Sequence, residues 1–98
     1  MKLKVPDSVR LFGVEHKVKM VKDMARDKAV NGYYITQSRE IHISKDLEPQ
    51  ETMAVFLHEV VEGIVINLEM EIEHSDITRF GTAIYQILAD NLDRMICD

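Results

Sequence analysis

The segment Phe56-Leu57-His58-Glu59-Val60-Val61-Glu62-Gly63 carries the most chemically specific pattern in the chain. On a helix, His58 and Glu62 are four residues apart. Their side chains leave one face about 40° apart, close enough to hold one cation. Glu59 places a second carboxylate beside them. Two helix ligands at i and i+4, with an adjacent carboxylate to take a proton from activated water, are what a zinc hydrolase requires. The usual motif has histidine at both ends. Glu62 can still ligate zinc through oxygen, but its charge makes the cation a weaker acidifier of water.

A helix must present these groups, and Pro49 suits its first turn, with Gln50 and Glu51 near the exposed N–H groups. We expect this helix over residues 49–68. Met53, Leu57, Val60, Val61, Ile64 and Leu68 fall within an arc of about 100°, a core-facing stripe, while Glu51, His58, Glu62 and Glu69 cluster elsewhere. Val55, Val65 and Ile66 flank that polar stripe and would shelter it. Ser75 is an N-cap candidate for a second helix, to residue 96, with Ile77, Phe80, Ile84, Leu88, Leu92 and Met95 along one side. Before Pro49 the pattern changes from helical to alternating. Val14, His16, Val18 and Met20 share one strand face, Phe12-Gly13 forms a tight turn, and residues 9–11 supply the other hairpin arm. Tyr33 to Thr36 and Glu40 to Ser44 are β-rich, with Ile41 and Ile43 facing one way and His42 the other. The charged segment Asp23 to Asn31 fits a loop or one helical turn equally well. The expected fold is a single α+β domain over residues 1–98: a small, mainly antiparallel β-meander followed by two long packed helices.

The chain has 98 residues, 46% of them apolar, enough for one modest core and no second catalytic domain. Twelve basic residues against seventeen acidic ones give a net charge of −5. No basic run offers the footprint that phosphate backbones demand, so nucleic acid is not an expected partner. Val60 to Leu68 is interrupted by Glu62 and Asn67 and is too short to span a bilayer, and Met1 to Val5 does not read as a signal peptide. A cytoplasmic, membrane-free protein is expected. The single cysteine, Cys97, excludes an intramolecular disulfide and any multi-cysteine zinc site, so a metal must be held by histidine and carboxylate.

Nearly the whole chain resembles the small phage and prophage proteins regarded as minimal zincin-like metallopeptidases. The likeness rests on Val5-Pro6 leading into residues 11–21, on Glu40-Ile41-His42-Ile43 as last strand, on residues 56–63, and on Tyr85-Gln86-Ile87-Leu88-Ala89-Asp90-Asn91. It implies that His58 is a zinc ligand, that Glu59 is the general base, and that Glu62 takes the second ligand position. Related zincins draw a third ligand from the second helix, but Gly81-Thr82-Ala83, the stretch expected opposite, has neither carboxylate nor imidazole. His74 can complete two histidines and one carboxylate only if the inter-helix segment doubles straight back. Leu68 lies about 15 Å from His58 along the helix axis. Residues 69–74, if extended, cover about 20 Å.

Taken alone, Glu51, His58, Glu62 and Glu69 are also the polar stripe of an ordinary amphipathic helix. His16 reads as a hydrogen-bonded core or edge histidine, the six methionines as packing, Tyr85 as packing, and Cys97 as an inert thiol. Two functions follow. The first is zinc-dependent hydrolysis of a peptide or protein substrate, with Ile41, His42 and Ile43 on the last strand receiving an extended peptide. The second is a fold without turnover that binds a host protein target, in the host cytoplasm if the chain is phage-encoded. The sequence leaves oligomeric state open.

Overall fold

The computed structural model describes residues 4–28 and 30–95. Four strands, β1 (Ser8–Leu11), β2 (Val14–Val21), β3 (Gly32–Ile35) and β4 (Glu40–Ser44), form one sheet. A short α1 (Met24–Lys28) lies between β2 and β3, and α2 (Pro49–Asn67) and α3 (His74–Met95) complete the chain. This is the expected α+β class, with element boundaries within one or two residues of those read from the pattern. Ile96 and Cys97 lie outside the described residues.

The strand order corrects the meander. It is β1-β2-β4-β3, with β1/β2 and β3/β4 antiparallel but β2/β4 parallel, Val18 facing Ile41 and Met20 facing Ile43. A parallel pair needs a crossover of a dozen or more residues. The segment from Lys22 to Arg39, containing α1 and β3, supplies it. It carries the chain to the far edge, so that β4 returns into the centre. Central placement matches composition: Ile41 and Ile43 are fully buried. The β1–β2 turn has both Phe12 and Gly13 in left-handed backbone, φ 52° and 77°, the twist that a two-residue hairpin favours.

One sheet face packs on α2, where Ile41 and Ile43 meet Met53, Phe56 and Leu57. Helix α3 covers another side of α2, with Val61, Val65 and Ile77 forming a second buried cluster. Because α2 is covered twice, its buried set is wider than the expected stripe. It includes Phe56, Glu59, Gly63 and Val65, whereas Leu68 is exposed. On α3, Ile77 is buried as expected, but Phe80 and Met95 face solvent.

The turn after α2 controls where α3 begins. Met70 N–H donates to the Val65 carbonyl and Glu69 N–H to that of Ile66, with Glu69 left-handed at φ 53°. This is the Schellman arrangement, with glutamate where glycine is common. It reverses the chain in a few residues and starts α3 at His74. Ser75, the expected cap, therefore sits inside the first turn.

Candidate metal centre

Helix α2 presents His58 and Glu62 toward α3, and the reversal brings His74 to them. The Glu62 Oε1 atom is 3.6 Å from His58 Nε2 and 3.2 Å from His74 Nδ1. His74 Nδ1–H donates to that oxygen. The two rings meet edge to face at 4.9 Å between centroids. One ligand atom from each residue lies within 4.8 Å of the other two. Zinc with ligand bonds of about 2.0–2.1 Å places tetrahedral neighbours about 3.4 Å apart. Two of the three edges are thus already near that length, so the residues could hold a metal ion of that size. Glu62 and His58 are largely sheltered, with side chains 23% and 18% exposed, whereas His74 is 75% exposed.

Glycine allows the close approach. A Cβ on Gly81 would stand 3.2 Å from the His58 Cα, so α3 crosses α2 at the level of the first ligand. At the strand side, a Cβ on Gly32 would come within 2.5 Å of a Val55 methyl and 3.4 Å of Glu59 Cγ. Gly32 is a residue that the sequence pattern does not mark as part of a site. An isolated glycine at a strand start signals close backbone contact, and here that contact forms a wall of the site.

Glu59 is 6% exposed and borders a cleft of about 390 Å³ that also touches Val30, Asn31, His58, His74 and Thr78. Burial, reinforced by the charge of Glu62, pushes the Glu59 carboxyl up to about 7. His58 is shifted the other way, downward, chiefly by burial and then by the neighbouring His74. A lowered imidazole is neutral at neutral pH, the form that ligates metal. The arrangement can hold one cation, leave open space in the cleft, and place a proton acceptor beside it.

The structure does not bring Ile41, His42 and Ile43 to this cleft. Ile41 and Ile43 are sealed under α2, and β4 is paired along both edges, so no peptide can add to it. His42 points to the opposite sheet face, where Nε2–H donates to Glu40 at 2.8 Å and Nδ1 accepts from the Tyr33 hydroxyl at 3.1 Å. Hydrogen bonds from His42 and from Lys19 hold the Glu40 carboxyl below its ordinary value. The edge that borders the cleft belongs to β3, which pairs only with β4 among the described residues.

His16 is also accounted for. With Nδ1–H donating to the Val14 carbonyl and Nε2 accepting from Tyr34 Oη, both nitrogens are used, and Asn67 donates to Tyr34 in turn. Tyr85 packs against the main core cluster. Among the described residues, no helix is long and apolar enough to cross a membrane. No family model, curated protein or solved structure matches the chain.

Proposed function

We propose that this chain is a zincin-like zinc peptidase domain acting on amide bonds of a peptide or protein in the cytoplasm. The observation that carries the reading is the meeting of His58, Glu62 and His74 around one point beside buried Glu59. Zinc, when bound, supplies positive charge that acidifies water and polarises a carbonyl. Glu59 accepts the proton that water gives up as it attacks the amide carbon, and returns it to the departing amine. A nearby cation also favours the ionised carboxyl, so metal loading moves Glu59 from its raised metal-free state toward the base form. Substrate lies along the outer edge of β3, its backbone pairing with Gly32–Ile35, next to the cleft wall at Val30 and Asn31.

The test has two steps. Protein purified without chelator or affinity-tag metal should contain one zinc per chain, lost in His58→Ala. Cleavage of a peptide library by the zinc-loaded protein should then disappear in Glu59→Gln with zinc content unchanged. The second reading is a protein-binding module for a host target, without turnover. Glu62 favours it, because a carboxylate in the second position leaves a bound cation less able to acidify water. Stoichiometric zinc with no cleavage in either protein selects this reading, and zinc-free protein overturns the metal assignment and leaves the binding module.

A further inference from the structure

Helix α3 buries only Ile77 and Gly81 among its 22 residues. Phe80 and Ile87, seven positions apart, are 54% and 57% exposed. At 100° per residue, Asp76, Phe80, Ala83, Ile87, Asp90 and Arg94 fall within an arc of about 80°. Their spacing alternates four and three, the heptad rhythm of a helix seam. The core-facing Ile77, Gly81, Ile84 and Leu88 occupy the neighbouring arc. The cleft residues His74, Thr78 and Thr82 lie beyond that, so the seam belongs to neither the core nor the metal centre.

We infer that this stripe is a self-association surface whose partner is a second copy of the chain, with the two α3 helices antiparallel. The pairing of Asp76 with Arg94 selects both occupant and direction. An antiparallel copy crossing at the level of Tyr85 sets Asp76 against Arg94, Phe80 against Asp90 and Ala83 against Ile87, each pairing occurring twice by symmetry. The small Ala83 leaves room for the Ile87 side chain opposite. Parallel packing would instead stack Asp76, Asp90 and Arg94 each on its own copy. Arg94 has no ion-pair partner among the described residues. Asp76 bonds Arg79 at 2.8 Å, with side chains 49% and 75% exposed, a pair that exchanges readily. Two rows of six residues form a seam smaller than the about 800 Å² per partner of a standard interface, so the dimer is weak, dissociating on the order of 100 µM. The proposal does not depend on the zinc reading.

Sedimentation equilibrium from about 10 µM to about 1 mM tests it. The wild-type chain should show reversible monomer–dimer exchange, and Ile87→Glu should be monomeric throughout. Asp76→Arg and Arg94→Asp, each alone, should weaken the dimer about tenfold by setting like charges opposite one another. An equimolar mixture of those two variants should regain wild-type association, because unlike charges then meet at both ends. Circular dichroism of each variant verifies that helix content is kept. A wild-type chain that stays monomeric at 1 mM, a dimer indifferent to Ile87→Glu, or a mixture that does not recover would overturn the assignment.

Discussion

Two histidine clusters in this molecule are built on opposite principles. Around His16, both ring nitrogens are satisfied by the protein and the ring is 2% exposed, so the imidazole ties β2 to β3 and, through Tyr34 and Asn67, to α2. Around His58 and His74, two imidazoles converge on one oxygen of Glu62 beside an open cleft. His42 resembles the first cluster, with a carboxylate and a phenol occupying its two nitrogens. Burial alone does not separate histidines committed to the fold from candidate ligands. The distinguishing property is whether the ring has already spent its hydrogen-bonding capacity on the fold.

The largest expected effect sharpens that contrast directly. His58→Ala should reduce zinc affinity on the order of a thousandfold in a competition titration, since a sheltered, pre-positioned ligand carries about a quarter to a third of the binding energy. His16→Ala should leave zinc affinity within about twofold while lowering stability by about 2 kcal/mol in denaturant unfolding. Equal loss of zinc in both variants would erase the distinction.

Glu59 gives the next effect. Its folded-state value is raised, so the fold favours the protonated carboxyl. That stability is present below about 4.5 and lost as pH rises through about 7. Metal-free Glu59→Gln should therefore gain up to about 3 kcal/mol over wild type at pH 8, and the gain should vanish near pH 4. A pH-independent difference would show that the carboxyl is not desolvated.

His74→Ala should weaken zinc by roughly tenfold to a hundredfold, less than His58→Ala, because an exposed side chain loses more freedom on binding. Isothermal titration of the two variants side by side measures the ranking. The smallest effect belongs to the turn. Glu69→Gly should raise stability by up to about 1 kcal/mol by relieving left-handed strain, with zinc affinity unchanged.

The helices were legible because their signals are local: Pro49 at the start of α2, the run of period 3.6, and a second run after His74. His58, Glu59 and Glu62 were legible for the same reason, being one turn apart. The order of the sheet was not. Alternation in residues 40–44 marks a strand but does not specify its neighbours, and the parallel β2–β4 pairing depends on a crossover whose length the pattern leaves free. The expected role of Ile41, His42 and Ile43 toward substrate fails for the same reason, because the last strand in sequence is a central strand in space. His74 was legible as a candidate only. Its arrival depends on the segment doubling straight back, and that reversal rests on a left-handed glutamate, a conformation that residue type does not announce.

That reversal has a consequence for assembly. The three groups that would grip a cation come from the middle of one helix and from the first residue of the next, so none of the local fragments contains the full set. A nascent or denatured chain holds at most the His58–Glu62 pair. Tight zinc uptake would thus report that the hairpin of helices has closed, making the ion a gauge of completed folding.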